Sequence, residues 1–376
     1  MQPKAARNIA IEALRLIAVA GIAVFHTFQW TFQATCVGLP EYAPLAAFPY
    51  SGVLGFINLL GCWANEVFFM ISGYFLIASA ARAWDGGTTW KSQMQRTSQR
   101  LGKVVMPTAL YCLVALAWST VVSPIPDVTL NTHYWYTLGL EFIWVYAATV
   151  FMAPWFGLAK CRLSQKSYTT TVIAVGILAF VVNGYLAAMS ATSAGEFSWL
   201  QKLMSAATYV IAFLIGGLLR DVTDAVDSDR AGALGMRSLA AVLALATILE
   251  GALSFTGNLT AMAALSYKST SLISFALAAA SLLFAATRRS ASGNPRTAGV
   301  IVTLSTATLG FYVMQSLTSS LWRPVFNTLL ANMLVSQNSP AAICIITGTV
   351  ISIVFALALL IIDAARSLIV RKLKRQ

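Results

Sequence analysis

The segment IAIEALRLIAVAGIAVFHTFQWT, residues 9–31, decides the fold class of this chain. It has the roughly 20 mainly apolar residues that a helix needs to cross a bilayer, yet it contains Arg15 and His26. Eleven positions on a helix return almost to the starting azimuth and rise about 16 Å, so both side chains lie on one face. Three more polar residues fall within roughly 60° of Arg15 by the same geometry: Asn8, Glu12 and Gln29.

Ionisable groups inside a membrane are costly, and they therefore indicate a functional site. The alternative is that these polar residues only join the helix to its neighbours. A lone histidine would favour that alternative, whereas the arginine and the glutamate on the same face favour a site.

The composition predicts an all-α, polytopic membrane protein. Charged residues make up 10% of the 376 positions and apolar residues 58%, against roughly 25% charged residues in soluble domains. Apolar runs of about 20 residues predict ten transmembrane helices near 9–31, 54–80, 104–123, 134–157, 169–190, 201–219, 238–256, 270–287, 299–321 and 340–364.

Basic residues predict the orientation of these helices, because cytoplasmic segments carry an excess of Lys and Arg. With both termini cytoplasmic, only Lys202, Lys268 and Arg323 fall in outer segments, and Arg15 lies within the membrane. The net charge of +12 is then largely a topology signal, so we do not predict nucleic-acid binding. It would still attract anionic lipids or cofactor phosphates.

The rest of the composition predicts one membrane domain, residues 1–376, without a metal. The five cysteines show neither metal-ligand spacing nor the even number typical of a disulfide framework. We find no segment long and polar enough for a separate soluble domain. The oligomeric state stays open, a homo-oligomer included, since lipid-facing and partner-facing apolar surfaces look alike.

The second predicted span contains a carboxylate in the string NEVFFMISGYFL. Glu66 needs a partner or a water-lined cavity at that depth, so we expect either structural pairing, with Arg15 or another base, or participation in chemistry. Ser72 and Gly73 allow close helix approach, which favours a packing role for them.

A basic segment precedes the third predicted span. Arg96, Arg100 and Lys103 stand at i, i+4 and i+7, so on a helix they form one cationic face at the inner surface. Membrane insertion alone requires basic residues there. Binding of a polyanion such as a nucleotide phosphate is the alternative.

Two further segments place polar groups in the outer half of the membrane. His133 and Trp135 begin the fourth predicted span at the outer boundary, where aromatic residues are typical, and Glu141 follows about 10 Å deeper. On the ninth span, Tyr312 and Gln315 reach roughly the depth of His26. A shared cavity is therefore predicted.

Five motifs in this order resemble the integral-membrane acyltransferase 3 family. They are Arg-x10-His in the first span, an aromatic pair before Ser-Gly-Tyr, a basic inner segment ending Arg-x2-Lys-x3-Pro, His-x-Trp-Tyr, and a late Ser-x2-Thr-x-Gly-x-Tyr. The resemblance runs from Arg7 to the last span. It implies an O-acyltransferase of the bacterial cytoplasmic membrane that acts on cell-envelope glycans or related acceptors.

The resemblance also implies roles for single residues. His26 would be the catalytic base or a transient acyl acceptor, with Arg15 as its charged companion, while Arg100 and Lys103 would help to hold the phosphates of coenzyme A. The chain departs from the family pattern where Glu12 replaces a common aspartate and Gln315 replaces a histidine. A glutamine can position substrate but cannot transfer a proton.

These roles define an expected mechanism with acetyl-CoA, or another acyl-CoA, as donor. The phosphates would stay at the inner face against the basic residues Arg96, Arg100 and Lys103, with Arg15 as a further candidate, and the acyl arm would extend towards His26. Glu66 or Glu12 would orient the imidazole. Hydrogen bonds to the developing oxyanion are expected from Tyr312, Ser72 or Gln315.

The principal alternative is a proton-coupled small-molecule transporter, because buried Arg, His and Glu residues on several helices are also typical of carriers. Transporters often consist of two related halves with broken helices at matching positions. The sequence shows no such pairs. A non-catalytic membrane scaffold is the third class, and it would not require the polar face.

Overall fold

The computed structural model describes residues 7–129, 140–190, 198–267, 270–288, 294–336 and 340–373. In these ranges every regular element is helical. The chain forms one 3₁₀ helix (Pro40–Tyr42) and the α-helices α1 (Ile9–Val37), α2 (Ala43–Ala46), α3 (Tyr50–Asp85), α4 (Trp90–Val121), α5 (Glu141–Arg162), α6 (Gln165–Ser190), α7 (Ser198–Ala225), α8 (Ser228–Phe255), α9 (Leu259–Leu265), α10 (Leu272–Thr287), α11 (Pro295–Ser305), α12 (Thr308–Leu317), α13 (Ser319–Val335) and α14 (Ala341–Leu373).

Local signals at both ends of α1 explain its length. The side chain of Asn8 accepts hydrogen bonds from the backbone N–H groups of Ala10 and Ile11, which caps the N-terminus. Gly38 ends the helix with a φ of 81°, a left-handed conformation that glycine adopts without steric cost. The helix therefore continues beyond the predicted segment 9–31, to Val37.

The predicted all-α membrane fold is confirmed at the level of its helices. Eight of them (α1, α3 to α8 and α14) are long and apolar enough to cross a membrane, and α11 with α12 forms a ninth, bent candidate. The apolar helix α10 has only 16 residues. Ten spans therefore remain a prediction, and each predicted segment overlaps at least one of these helices.

The ninth predicted span, 299–321, is not one continuous helix. It bends by 42° between α11 and α12 and breaks again at Thr318, where α13 begins. At the first break the hydroxyls of Ser305, Thr306 and Thr308 each donate to a backbone carbonyl three residues earlier. Such side-chain bonds compete with the regular helical pattern, and they account for the bend.

Pairwise contacts define how the helices run. Gly21 of α1 lies against Trp63 of α3, and Thr27 of α1 is hydrogen-bonded to Ser352 of α14. Arg7 lines a small cavity with residues near the end of α14, including Ser367. Both described termini thus lie at one end of the bundle, here named the terminal end; the opposite end is named the far end. That the terminal end is cytoplasmic stays a prediction.

Glycines allow α3 and α7 to pack with backbones in contact. A Cβ added to Gly73 would overlap the carbonyl oxygen of Phe213, and one added to Gly216 would overlap that of Met70. The predicted packing role of Gly73 is therefore confirmed. Ser72 donates to the carbonyl of Phe68, 2.9 Å away, as expected for a hydroxyl inside a helix.

A buried carboxylate joins α4, α12 and α14 near the terminal end. Tyr111 donates to Asp363 Oδ1 at 2.6 Å, and Arg366 Nε donates to the same oxygen at 2.7 Å. Gly310 leaves the space that Asp363 occupies, because a Cβ at Gly310 would overlap this carboxylate. The glycine of the late motif therefore serves packing.

Candidate active site

His26 lies on α1 in the far half of the bundle, in contact with an arginine that the sequence did not indicate. Arg323 Nη2 is 3.1 Å from His26 Nδ1, and the Phe25 ring lies beside the imidazole, 4.9 Å between centroids. The prediction placed Arg323 in an outer connecting segment. It instead lies on α13, the helix that begins after Thr318 and contacts α1.

A cavity of about 520 Å³, the far cavity, opens beside His26. Glu141 and Tyr312, both predicted to share a cavity with His26, line it as well. Its other lining residues come from α1, α3, α5 and α7 and include Gln29, Cys62, Asn65, Lys202 and Tyr209. The far cavity is thus a chamber beside the histidine that several helices build, with a mainly apolar wall that also holds several polar side chains.

A second, smaller cavity of about 120 Å³ lies on the same face of α1, and we name it the inner cavity. Val19 and Ile22 line it, and their spacing places them on the helical face that joins Arg15 to His26. Between Arg15 and His26, this face of α1 is therefore apolar and forms part of the wall of the inner cavity.

Two aromatic rings separate the cavities. Phe142 and Tyr312 line both of them, and their ring centroids are 4.5 Å apart. The two cavities are therefore neighbours that share these two rings as part of their walls. We name this pair the aromatic partition.

The acidic residues near Arg15 do not contact the histidine. Glu12 Oε2 accepts from Arg15 Nη1 at 3.2 Å, and it lies about 21 Å from His26 along the helix axis. Glu12 does not orient the imidazole in this structure, because this distance is far beyond hydrogen-bonding reach. Arg15 lies on the same face of α1 as His26, about 16 Å away along the axis, and its role in the site stays a prediction.

Glu66 is fully buried, and it pairs with neither Arg15 nor His26. Neither carboxylate oxygen has a hydrogen-bond partner among the described residues. The predicted pairing of Glu66 with Arg15 is therefore wrong, since Arg15 binds Glu12. Cys62 and Asn65, which precede Glu66 on α3, do line the far cavity. A chemical role for Glu66 stays a prediction.

The predicted basic residues form one ridge on the terminal half of α4. Arg96 and Lys103 are exposed, and Arg100 Nη2 is 3.3 Å from Ser79 Oγ of α3. Val104, the residue after Lys103, lines the inner cavity. The ridge therefore lies beside that cavity, on the same helix.

Of the remaining predicted site residues, two do not line the far cavity and two lie outside the residues that the structure describes. Gln315 is buried, and its carbonyl accepts from Trp322 Nε1 at 3.0 Å. Ser72 Oγ is 2.9 Å from the hydroxyl of Tyr146, which lines the inner cavity. His133 and Trp135 lie outside the described residues. A role in the site stays a prediction for all four.

Arg323 is the principal residue that the sequence reasoning missed. The available signal was the string SSLWRPVFNTLL, in which an arginine again interrupts an apolar run. Lys202 was likewise treated only as a topology marker, yet it lines the far cavity. No group of three His, Cys, Asp or Glu side chains suited to a metal occurs in the described part of the chain.

The fold and the site together define a multi-pass helical membrane protein with a histidine at the wall of a cavity between its helices. The predicted family is shown by comparison with protein families: the acyltransferase 3 model, described as an acyltransferase domain, matches residues 8–359. The chain belongs to this family. No curated protein and no solved structure matches the sequence significantly.

Proposed function

We propose that this membrane acyltransferase moves an acyl group, acetyl in the first instance, from cytosolic acyl-CoA to a hydroxyl group on the opposite side of the membrane. One observation carries the proposal. The α1 face from Val19 to His26 lines two cavities in succession, with the aromatic partition between them. This arrangement suits a donor and an acceptor that approach one histidine from opposite ends.

The donor end would be the terminal end of the bundle. Coenzyme A carries several phosphates, and the exposed guanidinium and ammonium groups of Arg96 and Lys103 suit such a polyanion. Arg100 would join them after its contact with Ser79 opens. The apolar inner cavity beside this ridge would accept the extended arm that carries the thioester.

The reacting centre would lie at His26. In direct transfer the acceptor oxygen bonds to the acyl carbon, the carbon–sulfur bond breaks, and the hydroxyl proton passes through the imidazole to the departing thiolate. In the alternative route a ring nitrogen bonds to the acyl carbon, the carbon–sulfur bond breaks, and the departing thiolate takes the proton of the imidazole. The acceptor oxygen then bonds to the acyl carbon, the carbon–nitrogen bond breaks, and the hydroxyl proton returns to the ring. Tyr312, at the far cavity, would donate a hydrogen bond to the oxyanion in either route.

The acceptor would enter the far cavity. Its lining by Gln29, Glu141 and Lys202 offers hydrogen-bond donors and acceptors suited to a polyhydroxylated molecule. We therefore propose a cell-envelope glycan or a related acceptor, and the bacterial cytoplasmic membrane as the location. The lipid bilayer, acyl-CoA and this acceptor are the partners that the proposal requires.

The alternative function is proton-coupled transport. The broken helix formed by α11 and α12 supports it, because discontinuous helices build the substrate sites of many carriers. The family supports the transferase instead. A carrier would move its solute without consuming a thioester.

The test uses the purified full-length protein in liposomes that also contain bacterial envelope glycans. Acetyl-CoA labelled in the acetyl group is added, and label in the glycan and free thiol are both measured. Equal amounts of glycan-bound label and released thiol support the proposal. Thiol release without labelled acceptor, or uptake of solute without thiol release, contradicts it.

The aromatic partition gives a prediction about acyl-chain length. Phe142→Ala removes one ring of the partition and widens the passage, so longer acyl groups should reach His26. We expect the preference for acetyl-CoA over butyryl-CoA, as a ratio of kcat/KM values, to fall about tenfold, which is typical for a change of pocket size by a few methylenes.

Phe151→Ala is the matched control for this substitution. Phe151 lies on the same helix and is exposed, so the same loss of a ring there should leave the preference unchanged. An unchanged preference in Phe142→Ala, or an equal change in both variants, would show that the partition does not limit the donor.

A further inference from the structure

The contact between Arg323 and His26 contains information about the protonation of the imidazole. Arg323 Nη2 lies 3.1 Å from His26 Nδ1, within hydrogen-bond distance. The guanidinium forms none of the ion pairs found among the described residues, and its Nε is buried without a partner there. Its contact with the histidine is therefore its main polar interaction in this part of the chain.

Only one form of the imidazole satisfies this contact. An arginine side chain has five N–H donors and no acceptor, and it stays protonated in proteins. His26 Nδ1 must therefore accept the hydrogen bond through its lone pair. A cationic imidazolium would bring two donors and two positive charges together, so the ring is neutral and its proton is on Nε2.

The tautomer assignment rests on this one contact. Gln29 lies about one helical turn further along α1, and both His26 and Gln29 line the far cavity. The imidazole whose Nδ1 accepts from Arg323 is therefore also at the wall of the chamber proposed for the acceptor.

We propose that Arg323 is a positioning residue that fixes His26 in the Nε2–H tautomer. The role of this tautomer in catalysis rests on the proposed function, whereas the tautomer itself can be measured without it. The only ring lone pair, which either route of transfer needs, is then on Nδ1 and is held by Arg323. The guanidinium must withdraw from Nδ1 before His26 can take a proton or an acyl group.

The small number of histidines makes the tautomer measurable. Only His26 and His133 occur in the chain, so a spectrum of ¹⁵N-histidine-labelled protein in detergent contains two ring systems. The variant His133→Gln assigns the remaining one to His26. Directly bonded hydrogens distinguish a protonated ring nitrogen from an unprotonated one, and we expect the hydrogen on Nε2 and none on Nδ1.

Substitutions of Arg323 test whether it causes this preference. Arg323→Met removes the donors while keeping an unbranched side chain, and we expect His26 to become a mixture of both tautomers. Arg323→Lys keeps a charged donor, and we expect the Nε2–H form to return at least in part. Arg162→Met removes an exposed arginine of α5 and should leave the His26 signals as they are in the wild type.

Two results would overturn the inference. One is a wild-type His26 ring protonated on Nδ1 or on both nitrogens. The other is an Arg323→Met spectrum identical to that of the wild type in protein that elutes as a folded monodisperse species.

An activity measurement separates this inference from the proposed function. We expect Arg323→Met to lower kcat for acyl transfer more than it raises KM for acyl-CoA, because part of the His26 rings would then carry the proton on Nδ1 and have no lone pair there for transfer. Arg323→Lys should partly restore kcat. If the tautomer behaves as expected but no acyl-CoA supports transfer in the wild type, the proposed function fails and the positioning role stands. If transfer occurs and His26 is protonated on Nδ1, the positioning role fails and the proposed function stands.

Discussion

His26→Ala is expected to abolish acyl transfer while leaving the protein folded. The imidazole lines the far cavity and lies on the same α1 face as Val19 and Ile22, which line the inner cavity. Alanine can neither take a proton nor carry an acyl group. We expect kcat to fall by about 10²- to 10⁴-fold, the usual contribution of a positioned acid–base group. The measurement is transfer of labelled acetyl groups from acetyl-CoA to envelope glycans.

The control for this variant is Cys161→Ser on the exposed surface of α5, which should transfer acyl groups at the wild-type rate. Both variants must elute as single species and unfold at temperatures close to that of the wild type. If His26→Ala is folded and transfers at the wild-type rate, His26 does not take part in the chemistry.

Gly73→Ala is expected to cause the largest loss of stability among single small substitutions. The added Cβ would overlap the backbone carbonyl oxygen of Phe213, and a backbone atom cannot rotate away as a flexible side chain can. Helices α3 and α7 would have to separate, and overpacking of this kind typically costs about 1–3 kcal/mol or more. Thermal unfolding in detergent should therefore shift clearly to lower temperature.

Gly184→Ala is the matched control, because Gly184 lies within helix α6 and an added Cβ there meets nothing within 4 Å. Alanine exceeds glycine in helix propensity by about 1 kcal/mol, so this variant should be as stable as the wild type or more stable. Equal unfolding temperatures for Gly73→Ala and the wild type would mean that α3 and α7 are not packed as described.

The sequence predicted those features that depend on local periodicity. Arg15 and His26 could be placed on one face of α1 because the helical repeat alone determines their azimuths, and the structure places Val19 and Ile22 between them on the same face. The apolar runs located the helices for the same reason. Their ends were less accurate, since a hydropathy run stops at the first charges whereas helical hydrogen bonds continue, as α4 does back to Trp90.

Features that depend on tertiary structure could not be predicted in this way. The position of Arg323 follows from two helix breaks, and hydropathy does not report helix breaks. Pairing of Glu66 with Arg15 was one of the alternatives that the sequence left open, but Arg15 instead pairs with Glu12, which lies three residues earlier on the same helix and needs no tertiary contact. The far cavity is lined by side chains from several helices that lie at one depth. Depths counted from the helical rise in the sequence identified only His26, Glu141 and Tyr312 among these lining residues.

The central claim is that an acyl donor reaches His26 through the two cavities along α1. Its most direct test is photo-crosslinking with an acyl-CoA that carries a diazirine in the acyl group, followed by mass spectrometry of the labelled peptides. We expect adducts on α1 between Val19 and His26 and on α12 around Tyr312, all suppressed by excess acetyl-CoA. The contradicting result would come from protein that transfers acyl groups. In it, the adducts that acetyl-CoA suppresses would lie only on lipid-facing helices such as α6, and none would lie at either cavity.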